Sequence, residues 1–379
     1  MANERRRTAV LTAEELQRAT PGSVLAAMSG GVDSSTMAAL LSDQGFTVEG
    51  ITLHLIGADV PGGCDMDTDP NVADARDAAQ RMGIPHRAVD LSAHFARCVI
   101  DPFCADYLDA RTPNPCIACN KHLKFGALHD LRRTIGADYL STGHYARRTF
   151  NDHTKRYELR KAADPTKDQS YVLYQLTQDQ LAHTLFPLEA LSKEQVRATA
   201  AQHGLPNASK SESQDICFVP DGDHAGFIAR RTGVDLEPGP ILATDGTVLG
   251  THHGLAAYTV GQRKGLGVAW SEPLYVLKKD KSKNTLVVGP LASQGVRLVR
   301  AHDVSLVSGV ASEEPLDGRT RLSAKTNYRM KEAPAVAWLD DEGLLCVEFD
   351  QPVRACAPGQ SLVVYDDDRV VGGGIVCEG

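Results

Sequence analysis

The run Ser29-Gly30-Gly31-Val32-Asp33-Ser34-Ser35 holds residue types that bind phosphate through the backbone. Its paired glycines let the main chain approach an anion closely and take positive φ at little steric cost. The serines offer hydroxyls, and Asp33 can hold a metal ion or cap a helix. Residues 24–28 are apolar and read as a buried strand, while residues 36–41 are good helix formers closed by Gly45. Strand, glycine loop and helix together aim N–H groups at phosphate. The loop lacks the Gly-Lys-Ser/Thr ending of a Walker loop, so it is a different phosphate-binding pattern. Thiols form the second reactive set. Cys116 and Cys119 follow the rigid entry Thr112-Pro113-Asn114-Pro115, with Lys121 and Lys124 close behind. Thiols at a helix start beside lysines are expected to be enriched in thiolate. Cys217 lies in the polar run Ser213-Gln214-Asp215-Ile216-Cys217-Phe218. Structural zinc sites usually need two C-x-x-C knuckles, and the chain has one. Cys98, Cys104, Cys346, Cys356 and Cys377 sit among apolar residues and are expected to be small core side chains. Cys64, in an acidic loop, receives no assignment.

The elements that must position these groups alternate from residue 24 to 145. Further strands are read at 47–55, 86–91 and 139–141. Helices are read from Asn71 as N-cap to Gly83, over 93–109, and over 117–135, where Leu123, Leu128, Leu131 and Ile135 recur at helical spacing. Such alternation predicts an α/β fold: a doubly wound parallel sheet binding its ligand at the carboxyl ends of the strands. Residues 171–203 are expected to be helical and to close this domain, with Ser192 and Gln195 as a capping box and Gly204 as a stop. Beyond residue 219 short β-like runs alternate with Gly, Pro and Asp, and no helix longer than a turn or two is expected. The runs 298–306, 319–325, 335–339, 344–349, 361–366 and 370–376 read as a C-terminal β-barrel. The expected divisions are an extension over 1–20, a nucleotide-binding domain over 21–219, a small β-rich module over 220–290 and the barrel over 291–379.

A chain of 379 residues accommodates these parts. No apolar run approaches the roughly 18 residues of a membrane span, and the charged start leads into no signal-peptide core, so a cytoplasmic protein with no membrane partner is expected. The net charge of −8 excludes a surface that is basic all over but not local basic faces. Three clusters are present: Arg319, Arg321, Lys325, Arg329 and Lys331; Lys278, Lys279, Lys281 and Lys283; and Arg263-Lys264. On domains appended to a nucleotide-binding core they favour RNA as a partner, with Arg321 and Lys325 expected to meet phosphate.

The glycine loop resembles the SGGxDS signature of the PP-loop ATP pyrophosphatases. With the Pro113-Asn114-Pro115 and Cys119-Asn120 stretch, Gly143-His144-Tyr145, Lys167-Asp168-Gln169-Ser170 and SQDICF, the chain resembles the bacterial tRNA-specific 2-thiouridylase (MnmA) family. The resemblance runs in register from about residue 23 to the C-terminus. It implies a monomeric enzyme that uses ATP to thiolate the wobble uridine (U34) of tRNA. In that chemistry the loop grips the β,γ-pyrophosphate, with Mg²⁺ expected on it, and the uridine 2-oxygen is adenylated. A cysteine persulfide, charged by a sulfur-donor protein, then supplies sulfur. The resemblance implies Cys119 and Cys217 as the catalytic pair: Cys119 either attacks the persulfide on Cys217, leaving a mutual disulfide, or activates its sulfur in place. It implies nucleotide contacts at Ala27, Met28, Ser29, Gly30, Gly31, Val32, Asp33, Ser34, Leu53 and Gly143. Asn114, Pro115 and Cys116 fall at the target base, and His144, Lys167, Asp168, Gln169, Asn327, Tyr328 and Gln360 at tRNA-contact positions. Two positions depart from the family pattern: many members carry Asp where Cys116 stands, and often Arg where Asn327 stands. Cys116, Cys119 and Cys217 also form a three-thiol set able to ligate an iron–sulfur cluster with one open iron, a second route to the same product. Another PP-loop enzyme acting on a small molecule explains the loop but neither the cysteine pair nor the basic barrel. A non-catalytic RNA-binding protein with a vestigial nucleotide site is opposed by the intact loop.

Overall fold

The computed structural model describes residues 22–208, 210, 216–308, 316, 318–354 and 356–377. The expected extension over 1–20, and Ser213, Gln214 and Asp215, lie outside them. The described residues fall into two compact units. One draws on 22–57, Cys64–Ala93 and 120–208 with 210, the other on Ala58–Gly63, His94–Cys119 and the described residues between 216 and 377. The longer helices are α1 (Val32–Asp43), α2 (Pro70–Met82), α3 (Asp101–Leu108), α4 (Leu128–Ile135), α5 (Lys193–Gln202) and α6 (His224–Thr232).

In the first unit β1 (Ser23–Ala27), β2 (Thr47–His54), β3 (His86–Asp90), β4 (Tyr139–Thr142) and β7 (Thr184–Leu185) form the expected parallel sheet, ordered β3-β2-β1-β4-β7. Its core joins Val24, Ala26 and Met28 with Met37, Leu40 and Leu41 of α1 and Val196 and Ala200 of α5. The strand order reverses between β1 and β4, the crevice where doubly wound sheets bind ligands. A hairpin, β5 (Arg147–Asn151) with β6 (Arg156–Arg160), follows β4 and was not visible in the sequence pattern.

Two local readings of the first domain change. Helix α2 is capped by Asp69, whose Oδ1 accepts from Asn71 N at 2.8 Å, and Pro70 takes the first helical position, so Asn71 is a donor rather than the cap. Residues 171–203 are not one helix. The Thr177–Gln180 capping box opens a short helix, Gln178–Ala182, then β7 enters the sheet, and α5 begins only at the second box, Ser192 with Gln195. Pro187, between the two helices, cannot continue either one. The readings of 93–109 and 117–135 as helical are met, each with a π-type segment, Ala96–Ile100 and Asn120–Ala127.

The second unit carries the helix that the C-terminal reading lacked. Asp223 Oδ1 accepts from Gly226 N at 2.9 Å to cap α6, which buries Phe227 and Ile228. Strands β8 (Gly239–Leu242), β9 (Val248–His252), β10 (Leu274–Asp280) and β11 (Thr285–Pro290) form a sheet ordered β10-β11-β8-β9. The six C-terminal strands are β12 (Val296–Ser305), β13 (Thr320–Lys325), β14 (Ala333–Leu339), β15 (Leu345–Val353), β16 (Ser361–Asp366) and β17 (Arg369–Val376). They run β12-β15-β14-β13-β16-β17, and β12 pairs with β17 to close the barrel. Val299, Ala337, Val347, Phe349 and Val364 fill it. Of the five cysteines expected in cores, Cys104 and Cys346 are buried and Cys98, Cys356 and Cys377 half-buried. Burial pushes the Cys356 thiol up to about 12 and that of Cys104 to about 11, which keeps both protonated and inert. Among the described residues no helix is long and apolar enough to cross a membrane.

Candidate active site

The loop after β1 is folded for an anion. Gly31 precedes α1 with an extended backbone and no side chain to cap it, so the first N–H groups of the helix point outward beside the partial positive charge of its N-terminus. Ser34 is buried and braces the loop: its Oγ accepts from Ser29 N at 3.0 Å and donates to Gly31 O at 3.1 Å. Asn207 ties the loop from behind, its Nδ2 donating to Ser35 Oγ at 2.8 Å and Gly30 O at 3.2 Å. Gly30 has φ +71, and a Cβ there would lie 2.6 Å from Asn71 O. Gly143, in the loop after β4, leaves no room for a Cβ either, since it would lie 2.9 Å from Ser34 N. The two loops flanking the switch point are therefore packed backbone against backbone. Ala27 ends β1 and Met28 follows it, and Leu53, near the end of β2, is one strand away; Met28 N donates to Ile51 O at 2.8 Å.

Asp33 does not cap the helix. Its Oδ1 accepts from Tyr145 Oη at 2.8 Å, and Lys193 Nζ lies 2.7 and 2.9 Å from its two oxygens. Lys193 is the first residue of α5, presented by the Ser192 capping box. Sequence reasoning singled out none of Tyr145, Lys193 or Asn207 as loop partners. The capping box places Lys193 in a first turn, but nothing in the sequence says which loop that turn meets.

The segment Lys167-Asp168-Gln169 is held by its own acids and amides. Asp168 Oδ1 accepts from Ala162 N at 3.0 Å and its Oδ2 from Ser170 Oγ at 2.8 Å, while Gln169 Oε1 accepts from Tyr145 N at 3.0 Å. Lys167 is half-buried beside them. His144 is buried, its Nδ1 2.8 Å from Thr142 Oγ1, and burial, with Lys124 nearby, holds the ring well below its usual range and neutral. Its ring is thus part of the wall beside the loop.

The thiols belong to the second unit. Pro115 and Cys119 are buried at the two ends of the helical turn Pro115–Cys119, and Cys116 is exposed in it. Asn114 Oδ1 accepts from Cys116 N at 3.2 Å, which fixes the turn's start. Cys217 is exposed on a turn whose next residue, Phe218, is buried edge-on against Phe95 and Phe103, 5.7 and 5.1 Å between centroids. Gln360 Nε2 donates to Thr112 O at 3.1 Å, and Thr112 N donates to Pro358 O at 2.8 Å. The barrel turn bearing Gln360 is so brought against the chain entering Asn114 and Pro115.

The basic clusters are less open than their sequences imply. Arg321 pairs with Asp350, Arg319 pairs with Glu348 at 2.9 Å and lies 4.1 Å over the Trp338 ring, and Lys325 is buried against Tyr328 and Tyr365. The expectation that Arg321 and Lys325 present bare charge to phosphate is corrected: one is offset by a carboxylate across the sheet, the other enclosed by rings. In the second cluster Lys279 is buried, donates to Arg111 O at 3.0 Å and is lowered to about 8 by burial, while Lys281 pairs with Asp109. Tyr328, Arg329 and Lys331 in the β13–β14 turn are exposed, and Asn327 holds that turn by accepting from Met330 N at 2.9 Å.

A glycine loop of this geometry at the switch point of a parallel sheet defines a nucleotide-binding α/β domain, here continued into two β-rich parts. Residues 22–221 match the family model described as tRNA methyl transferase HUP domain, 225–290 the tRNA methyl transferase PRC-barrel domain, and 296–376 the Aminomethyltransferase beta-barrel domain. The chain is 47% identical over 358 residues to the tRNA-specific 2-thiouridylase MnmA of Moorella thermoacetica, covering 93% of this chain and 98% of that protein. It is 45% identical over 359 residues to the protein of that name from Acetivibrio thermocellus, with the same coverages. The chain belongs to the tRNA-specific 2-thiouridylase (MnmA) family.

Proposed function

We propose that this protein is a tRNA-uridine 2-sulfurtransferase, which replaces the 2-oxygen of the wobble uridine (U34) by sulfur at the expense of ATP. The observation that carries this reading is the similarity to 2-thiouridylases over 93% of the chain. Residues 21–219 carry the chemistry in this reading, 220–290 form the small central part, and 291–379 bind tRNA.

A carbonyl oxygen is a poor leaving group. The uridine 2-oxygen therefore attacks the α-phosphorus of ATP, an O–P bond forms, and pyrophosphate departs. The first N–H groups of α1 and the backbone of Ser29, Gly30 and Gly31 hold that pyrophosphate. Lys193 stands ready to share its charge between Asp33 and the phosphates. Asp33 supplies carboxylate oxygen, the donor type Mg²⁺ takes, and Mg²⁺ bound there would neutralise phosphate charge.

Sulfur arrives as the terminal atom of a persulfide on Cys217, whose exposure suits transfer from a donor protein. That sulfur attacks C2 and the C2–O bond breaks, releasing AMP with the former uridine oxygen. The Cys119 thiolate attacks Cys217 Sγ, the S–S bond breaks, and 2-thiouridine is freed while a Cys119–Cys217 disulfide forms. A dithiol reductant then restores both thiols. Asn114 and Pro115 meet the unstacked base, and Tyr328 and Gln360 meet the tRNA around it. Nucleoside mass spectrometry of U34-containing tRNA transcript incubated with protein, ATP and a persulfide donor tests the reading. The expected product is 2-thiouridine at position 34; release of AMP and pyrophosphate without RNA, and no thiolated nucleoside, would overturn it.

A further inference from the structure

The chain between Tyr258 and β10 contains Gly261-Gln262-Arg263-Lys264-Gly265-Leu266-Gly267-Val268-Ala269-Trp270. It is anchored by one inward side chain. Leu266 is buried with Tyr258, Leu274 and Val276, and the glycines on either side have φ +78 and +68, so the chain turns in and out within three residues. Gln262 fixes the outer arm. Its Oε1 accepts from Thr259 N at 3.0 Å, its Nε2 donates to Lys264 O at 2.9 Å, and its main-chain oxygen accepts from Val276 N at 2.9 Å. A cavity of about 480 Å³ opens on this loop, lined by Arg263, Leu266, Trp270, Glu272 and Pro273 among others.

The groups around the cavity are unspent. Trp270 is 50% exposed, and among the described residues no ring or cation stacks on it, whereas Trp338 is covered by Arg319. Arg263 and Lys264 are exposed, and among the described residues neither is in an ion pair. A bare indole, one unpaired cation, Arg263, and one carboxylate line a cavity of small-ligand size, with Lys264 next in the chain, and together match one nucleotide. The indole stacks on the base, the cations meet its phosphate, and Glu272 accepts from an exocyclic amino group, which adenine, cytosine and guanine have and uracil lacks. A duplex offers no free base face.

We propose that this cavity binds an unstacked nucleotide of the tRNA other than the target uridine, and so fixes the RNA through the central part of the chain. The inference rests on the reading of tRNA as substrate. Its test uses the full-length protein carrying Trp338→Phe, which leaves Trp270 as the sole tryptophan. Unmodified tRNA transcript is expected to quench its fluorescence along the filter-binding isotherm, while AMP alone and a fully paired RNA duplex do not. Trp270→Ala should weaken tRNA binding about tenfold or more without changing the salt slope, and Trp270→Phe should stay within about threefold of wild type. Arg263→Gln with Lys264→Gln should lower the slope by about 1, for the one phosphate they meet. Unchanged affinity of Trp270→Ala, or unchanged fluorescence with tRNA bound, overturns the inference while wild-type thiolation still stands. Equal quenching by AMP assigns the cavity to a free nucleotide, and equal quenching by the duplex to a helix surface; either overturns it. A wild type that neither binds nor thiolates tRNA overturns the proposed function as well.

Discussion

Asp33 illustrates how a single side chain is committed before any substrate arrives. Its carboxylate is shared between Tyr145 and Lys193, so removing it releases a cation beside the phosphate loop and unties Tyr145 from α1. Asp33→Ala is expected to reduce 2-thiouridine formation by about 100-fold or more. Filter binding of tRNA should change little, because the exposed basic residues lie elsewhere in the chain. Near-normal thiolation would remove the loop from the chemistry. The thiols divide in the same way. In the persulfide route Cys119→Ser and Cys217→Ser are each inactive and Cys116→Ser keeps substantial activity, since no step breaks or makes a bond to Cys116. Iron analysis on anaerobically prepared protein is the companion measurement. Stoichiometric iron together with a dead Cys116→Ser would replace the persulfide by a cluster held on all three thiolates.

Elements were legible where the signal is local and obscure where it depends on a distant partner. The alternation of strands and helices and the six barrel strands could be read because apolar period, glycine and proline lie within a few residues of each other. Strand β7 is two residues long and owes its existence to β4, so no period announces it. The Lys193–Asp33 tie spans 160 residues and leaves no trace in either segment. Gly143 lies between these cases: the motif marked it, but its reason is the approach of two loops. Gly143→Ala is expected to push α1 from the β4 loop and to cut ATP-dependent activity by about tenfold or more, with the melting temperature lowered; a fully active variant would show that the loops separate freely. Lys279, buried between β10 and Arg111, gives a pH signature. Its folded value of about 8 lies below the roughly 10.4 of an unfolded lysine. Between those values the unfolded chain holds a proton the folded chain has released, so stability from this group rises from about pH 8 to 10 and is lost as pH falls through 8. Lys279→Met should therefore gain most over wild type near pH 7, with the difference in melting temperature narrowing by pH 9.5. A gap that widens instead would mean the ammonium is favoured where it lies, by Arg111 O and the Tyr107 ring.

Over the whole molecule, a net charge of −8 must coexist with an RNA substrate, so only the cations left unpaired by the fold can carry the association. The density of basic residues along 319–331 points to a broad face; the barrel reduces it. Arg319 and Arg321 meet Glu348 and Asp350 of β15, and Lys325 is enclosed by two tyrosines, because antiparallel strands bring acids from distant sequence beside them. Arg329 and Lys331 remain on the exposed β13–β14 turn with Tyr328. Phosphate binding releases condensed counterions, and each phosphate that a variant no longer neutralises lowers the slope of log K against log salt by about 1. Arg329→Gln with Lys331→Gln should thus lower the slope for tRNA by about 2 and weaken binding most at low salt. Arg321→Gln should leave the slope within error. It breaks a solvent-exposed pair that contributes little to stability, so the fold persists and the comparison is fair. Lys325→Ala should instead lower the melting temperature, since it removes a stem packed against Tyr365. An equal drop in slope from Arg321→Gln and from the Arg329/Lys331 pair would mean that RNA displaces Asp350, returning β13 to the RNA face.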